Sequence, residues 1–209
     1  MFFFPELVET KTSRFNGTIK VYKLFGHYSL SVDNLTQSGG LVKNIWHKAL
    51  KRITNYKLQI TNCLILGLGG GTSADLVNKI WPNARITGIE IDPQMVKLGK
   101  KYFSLGNISH LKIITADAFK RIYTLYPIRY SLILVDLYHG KSFPREATTP
   151  IFSRHLKRLL KPKGTLIINR LNYAHNEKDI NQHVTILKKV FPHVTAHKIL
   201  SNILVFCSL

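Results

Sequence analysis

Cys63 and Cys207 are the only cysteines in the 209-residue sequence. Two thiols exclude a disulfide framework and a cysteine-rich zinc site, and they fit a reducing, cytoplasmic setting. Acidic residues are also scarce: 11 Asp and Glu stand against 30 Lys and Arg, a formal charge of +19. Such an excess attracts nucleic acid, anionic lipid or acidic ligands, but here it is spread along the chain rather than gathered in a basic arm. Its densest runs, "KALKR" (48–52) and "RHLKRLLKPK" (154–163), have helical spacing that makes much of each a solvated face. Charge alone therefore does not favour nucleic acid as a partner. Long apolar runs are absent, none approaching the roughly 18 to 20 residues needed to span a bilayer. "MFFFPEL" has no basic n-region and meets Pro5 after three phenylalanines, too early for a signal peptide. The expectation is a soluble cytoplasmic protein with no membrane partner. No internal repeat or low-complexity linker interrupts the chain.

What is present is a 45% hydrophobic fraction, enough for one substantial core, arranged in two rhythms. From Thr18 to Asp33, "TIKVYKLFGHYSLSVD" alternates apolar and polar residues around Gly26, as a β-hairpin does. A short polar segment, "NLTQSGG", follows, and "LVKNIWHKALKRI" then places Ile45, Trp46, Ala49, Leu50 and Ile53 near one helical face. After Thr61 the pattern becomes strand, helix, strand, helix. "CLILG", "RITGIEI", "LKIIT", "YSLILVDL" and "TLIINR" read as strands; "TSADLVNKI", "PQMVKLGKKYF", "DAFKRIYTLY" and "PIFSRHLKRLL" read as helices. That alternation implies crossover connections and a parallel sheet covered on both faces. A helix over "EKDINQHVTILKKV" precedes "VTAHKIL" and "NILVFCSL", which almost touch and must be antiparallel, because a parallel return needs a dozen or more residues. The expected fold is α/β and Rossmann-like: a mostly parallel sheet with a C-terminal antiparallel strand pair. Residues 1–40 form a small N-terminal β-hairpin region and 41–209 the nucleoside-binding domain.

Gly67, Gly69 and Gly71 make G-x-G-x-G directly after the first strand of that domain and before a helix. Glycines there permit a sharp turn and let a ligand approach bare main chain. Glu90 ends the next strand, at the separation from which a carboxylate accepts hydrogen bonds from a ribose diol. The plainer alternative is a tight turn beside an exposed acid. Asp117, in "ITADAF", is placed either to accept from an adenine amino group or to cap the following helix. A dinucleotide site would show G-x-G-x-x-G with a pyrophosphate over the helix N-terminus. Here Gly71 stands two residues after Gly69 and Thr72 occupies the third place, and the expected ligand lacks phosphates.

With these residues the sequence resembles the class I S-adenosylmethionine-dependent methyltransferase superfamily, and within it the spermidine synthase family. The likeness runs from about Thr12 to the last strand, through "VDNLTQSGGLVKNIWHKAL", "LILGLGGGTSADL", "GIEIDPQMVKLGKKYF", "ITADAF", "YSLILVDLYHG" and "LKRLLKPKGTLIINR". The resemblance implies that Glu90 holds the ribose hydroxyls, that Asp117 with Ala118 reads adenine, and that Asp136 is the base for an incoming amine. Gln37 and His47 match a glutamine and a histidine bordering the nucleoside and polyamine pocket. Asp92 matches the acid of "EID", with a helix cap before Pro93 as its other reading. Trp46, Tyr138 and His139 fall on pocket positions, as wall, base-stacking or hydrogen-bonding groups. S-adenosylmethionine or its decarboxylated relative is the implied co-substrate, with no metal, and a homodimer is the family's usual assembly. A sulfonium is already an activated leaving group, so the chemistry asks mainly for alignment of a nucleophile and a place for its proton.

Several positions depart from the synthase pattern. Gly70 stands where an aspartate grips the aminopropyl ammonium, His139 replaces a second aspartate, and Val42 and Lys43 replace an acidic pair. Trp46 replaces a tyrosine. The resemblance thus implies aminopropyl or methyl transfer to a small-molecule amine or other nucleophile. The alternatives are an RNA or small-molecule methyltransferase, or a catalytically silent nucleoside-binding protein. "KSFPREATTP" (141–150) is expected to form a mobile cover over the cleft, ending where Thr149 caps a helix opened by Pro150.

Overall fold

The computed structural model describes residues 4–54, 58–173 and 176–209. The chain opens with a four-stranded antiparallel sheet: β1 (Glu6–Ser13), β2 (Gly17–Leu24), β3 (His27–Val32) and β4 (Leu35–Gly39). The expected hairpin is its central pair, β2 and β3, turned by Phe25 and Gly26, both at positive φ, the signature of a two-residue turn matching strand twist. Asp33 and Asn34, also at positive φ, make a second such turn. "NLTQSGG", expected as a polar segment, is therefore largely strand β4, whose polar side chains face a site rather than a core.

A second, seven-stranded sheet has the order β10-β11-β9-β8-β5-β6-β7. Its strands are β5 (Asn62–Leu66), β6 (Arg85–Glu90), β7 (Leu111–Thr115), β8 (Tyr130–Val135), β9 (Leu160–Leu171), β10 (His193–Ile199) and β11 (Asn202–Ser208). The five from β5 to β9 are parallel, and β11 runs antiparallel to both β9 and β10. This is the mostly parallel sheet with a terminal antiparallel pair that the short "LS" connection requires.

Helices α1 (Gly40–Thr54), α2 (Thr72–Ile80) and α3 (Pro93–Tyr102) cover one face, burying Trp46, Leu50, Val77 and Val96 against Ile65 and Leu134. The opposite face carries α4 (Ala118–Arg121), α5 (Pro150–Leu159) and α6 (Glu177–Val190), with Phe152, Leu156 and Leu187 over Leu64, Ile133 and Leu166. The helix expected over "DAFKRIYTLY" shortens to α4 and one 3-10 turn, Ile122–Thr124, because Pro127 follows too closely for more turns. Thr149 caps α5 as expected, its hydroxyl accepting from Phe152 N at 3.2 Å. Cys63 and Cys207 are buried free thiols. Among the described residues no helix is long and apolar enough to cross a membrane.

The small sheet is docked on α3. Ile19, Val21, Leu30 and Val32 pack against Met95 and Leu98. At the edge, Lys101 Nζ and Tyr102 OH donate to the Glu9 carboxylate at 2.6 and 2.5 Å. Asn16 Nδ2 donates to Asp92 Oδ2 at 2.7 Å, while Asp92 caps α3 through Gln94 N. Docked in this way, the sheet brings Asn16, Gln37 and Ser38 to the carboxyl ends of the parallel strands.

Candidate active site

Chain order reverses direction around β5, whose neighbours are β6 and β8. In open α/β sheets ligands bind outside the carboxyl ends of the strands at such a point. The first turn after β5 is built by main chain: Gly67 N and Leu68 N both donate to Ile89 O, and Asp136 N donates to Leu66 O. Gly67, at φ 85°, lies so near the next strand that an added Cβ would sit 2.2 Å from the Asp136 carbonyl oxygen. Neither partner is a flexible side chain that can move aside. Gly67→Ala is accordingly expected to lose about 3 kcal/mol or more of stability, from the left-handed backbone and the overlap together. A lowered urea midpoint with an unchanged m-value measures it, and a midpoint equal to wild type would contradict this account of the turn.

The other glycines differ in what excludes a side chain. Gly69 N donates to Glu90 Oε2 at 2.8 Å, so its main chain faces the acid. Gly70 N donates to Ser38 Oγ at 2.7 Å, and the place of a Cβ at Gly70 is taken by Ser38 and Phe103. A Cβ on Gly71 would lie 2.4 Å from Leu105 Cδ1. Gly71 thus serves helix packing at the start of α2 and does not border the cleft.

The cleft above this turn has a volume of ≈ 830 Å³. Of the residues singled out from the sequence, Gly67, Gly69, Gln37, Trp46, Glu90, Asp117, Ala118, Asp136, Tyr138 and His139 all border it. His47 does not. It is exposed on the solvent side of α1, about 100° around the helix from Trp46, so one helical step separates a cleft wall from a surface residue. Asp117 caps α4, its carboxylate accepting from Phe119 N at 2.8 Å, and it also lines the cleft.

Glu90 is only 7% exposed. Each of its oxygens takes one main-chain hydrogen bond, Oε2 from Gly69 N and Oε1 from Asp92 N, at 2.8 and 3.0 Å. A carboxylate oxygen has a second lone pair, so accepting capacity remains at the cleft. Burial pushes its pKa up, with the nearby Asp92 charge adding to the rise, and the main-chain N–H groups of Asp92, Gly69 and Ile91 oppose it.

Asp136, at the end of β8, is held by two side chains from distant parts of the chain. Trp46 Nε1 donates to Oδ2 and Asn169 Nδ2 to Oδ1, both at 2.8 Å. The chain of amides continues, with Asn202 Nδ2 donating to Asn169 Oδ1 at 2.7 Å and Ser201 Oγ to Asn202 Oδ1 at 2.9 Å. Burial pushes the Asp136 pKa up while its two donors pull it down. A second chamber of ≈ 640 Å³ adjoins the first, with Gln37, Val42, Asp136 and Tyr138 bordering both. Its polar lining is hydroxyl and amide, from Asn34, Thr36, Gln37, Asn169, Ser201 and Asn202, and among the described residues Asp136 is the one carboxylate that lines it. Tyr138 is anchored structurally, taking Leu171 N at 2.6 Å and donating to Asn169 O at 3.1 Å. The loop after β8 crosses toward the small sheet, where Gln37 Nε2 donates to Gly140 O at 3.5 Å, and Pro144 borders the cleft.

Sequence reasoning missed Asn16, Ser38, Thr72 and Ser73 at the cleft, and Asn169 behind Asp136. Asn169 carried a readable signal, a polar residue inside the otherwise apolar strand "TLIIN". Ser38 carried none, since its contact with Gly70 depends on how two sheets dock.

A glycine-turned main-chain floor, a buried acid after the second parallel strand and a cleft at the switch point define a Rossmann-like fold of the class I S-adenosylmethionine-dependent methyltransferase type. Residues 43–203 match the spermine/spermidine synthase domain, and the chain belongs to that family. Two curated relatives flank it. The eEF1A lysine and N-terminal methyltransferase homolog of Drosophila melanogaster is 29% identical over 69% of this chain and 23% of its own length. The polyamine aminopropyltransferase of Vibrio vulnificus (strain CMCP6) is 31% identical over 51% of this chain and 36% of its own. Each match thus covers well under half of the relative. A probable spermidine synthase from Corynebacterium glutamicum ATCC 13032 superposes on 99% of this chain and 81% of its own at TM-score 0.80, with 20% identity.

Proposed function

We propose that the protein transfers a methyl group from S-adenosylmethionine to an amine nitrogen brought to Asp136. The observation that carries this reading is the hydroxyl lining of the cleft at the start of α2, with Ser38 and Phe103 against Gly70. A decarboxylated donor ends in an ammonium, and burying that charge without an acidic partner is costly. Around Gly70 the space an acid would need is filled by Ser38 and Phe103, and the neighbouring cleft groups are the hydroxyls of Ser38, Thr72 and Ser73. Thr72 and Ser73 open α2, and the start of a helix favours a carboxylate such as the one methionine retains.

The remaining roles follow from position. Glu90 accepts from the ribose hydroxyls, and Asp117 and Ala118 border the adenine, with Leu68, Ile91 and Phe119 as apolar walls. The bound sulfonium supplies a carbon already activated toward attack. Asp136 then has two tasks: to orient the amine and to hold the proton it releases, with Trp46 and Asn169 fixing the carboxylate between them. The neutral lining of the second chamber suits an acceptor that presents one amine rather than a diamine needing two carboxylates.

Aminopropyl transfer is the second reading, favoured by the N-terminal sheet that this chain shares with a probable spermidine synthase fold. Calorimetric titration with S-adenosylmethionine and with its decarboxylated form separates the two. The expected result is tighter binding of the carboxylated donor by about 10-fold or more, the value of one charge-assisted hydrogen bond. Tighter binding of the decarboxylated donor would transfer the assignment to aminopropyl chemistry. Failure of both to bind would remove the transferase reading.

A further inference from the structure

The end of the large sheet away from the cleft carries a basic groove of ≈ 980 Å³. Arg154, Lys157 and Arg158 from the later turns of α5, Arg129 ahead of β8 and Lys189 near the end of α6 line it, with no aspartate or glutamate among the lining residues. None of the five takes part in the ion pairs found among the described residues. Lys157 is partly used, donating to Val190 O at 2.7 Å.

Cations near helix C-termini are ordinary complements to the helix dipole, and that accounts for one or two of them. It does not account for Arg129, which lies outside any helix, nor for the rings beside the groove. Tyr126 and Tyr123 are 54% and 52% exposed. The Arg158 guanidinium lies 5.2 Å over the Tyr126 ring, and Tyr123 meets His155 edge-on at 4.3 Å. One exposed tyrosine thus lies under a groove-lining cation, and the other packs on the helix that carries three of the cations.

We infer that this groove binds single-stranded RNA, the cations following the phosphodiester backbone and the tyrosines offering faces for bases. A concave groove with exposed rings suits a strand better than a membrane surface. The exposed large aliphatic residues there are Leu209, which lines the groove, and Ile128, two residues from Tyr126, against five lining cations. The groove is at the opposite end of the parallel strands from Asp136, so the bound strand is a partner rather than the acceptor of the transferred group. The inference stands whichever donor the cleft takes.

Fluorescence anisotropy with a labelled single-stranded RNA of about 20 nucleotides tests it across KCl concentrations from about 50 to 200 mM. The comparison is between Arg154→Gln/Arg158→Gln/Lys189→Gln and a control of equal charge change, Lys97→Gln/Lys100→Gln/Lys112→Gln, on the far side of the protein. Both sets are exposed, and thermal melting verifies that each variant is folded. The groove variant is expected to bind about 10-fold or more weakly, with the salt slope reduced by about 2, since each lost phosphate contact removes about 0.7. The control is expected to match wild type. Tyr126→Ala is expected to weaken binding by about 5-fold or more at unchanged salt slope, by loss of a stacked base. Equal losses in both triple variants would overturn the proposal, leaving only the attraction of a +19 protein for any polyanion. So would a groove variant that keeps RNA affinity but leaves phosphatidylserine vesicles, which would assign the groove to membranes.

Discussion

Replacing Glu90 with alanine is expected to lower affinity for S-adenosylmethionine by about 100-fold or more in calorimetric titration. Two hydrogen bonds from ribose hydroxyls to a charged acceptor account for that size, each contributing about 1.5 to 3 kcal/mol. Part of the loss is structural. Gly69 N and Asp92 N both donate to this carboxylate, and removing it leaves two main-chain donors at a buried site without their acceptor. The glycine turn loosens with it, so the melting temperature is expected to fall as well. Glu90→Gln does not escape this. One main-chain N–H points at each carboxylate oxygen, and whichever way the amide is turned, its NH2 group opposes a donor that cannot move. Retention of affinity within about 3-fold of wild type by Glu90→Ala would detach the ribose from this acid, because even one lost charge-assisted bond exceeds that change.

The contrast between local and long-range information separates what was readable in the residues from what was not. The parallel sheet was readable because each strand carries its own apolar run and each helix its own period. The closing antiparallel pair was readable because two residues, Leu200 and Ser201, join it. Strand β4 was not readable: Leu35 is its single large apolar residue, and its polar side chains face the cleft instead of a core. The glycine spacing marked a bare main-chain turn, but the division of labour within it depends on Asp136, Ser38 and Leu105, all distant in sequence. Trp46 and His47 looked alike as neighbours of the pocket, and only the helix phase set by Ile45, Leu50 and Ile53 distinguishes them. The hydrogen bond from Trp46 to Asp136 spans 90 residues and has no local trace.

Asp136→Asn is expected to lower turnover by about 10² to 10⁴, the usual contribution of a positioned base, while donor affinity and melting temperature stay near wild type. Folding is spared because the hydrogen bonds behind this residue are reversible. The amide at 136 keeps its oxygen toward Trp46 Nε1 and points NH2 toward Asn169. Asn169 and Asn202 then each turn their amides by about 180°, and Ser201 Oγ accepts where it donated, so every donor finds an acceptor. The change is thus confined to the group that holds the proton, which Glu90 with its rigid main-chain donors does not allow. The pH profile provides a second readout. A base works when deprotonated, so rate climbs as pH rises through its pKa. Burial raises that pKa, which puts the climb above the ordinary aspartate value of about 4. Wild type is expected to show this limb in addition to the one set by deprotonation of the amine itself, and the variant only the latter. Initial rates at saturating donor measure both. A variant with wild-type turnover would leave the amine's proton to solvent, and Asp136 would then be a positioning group.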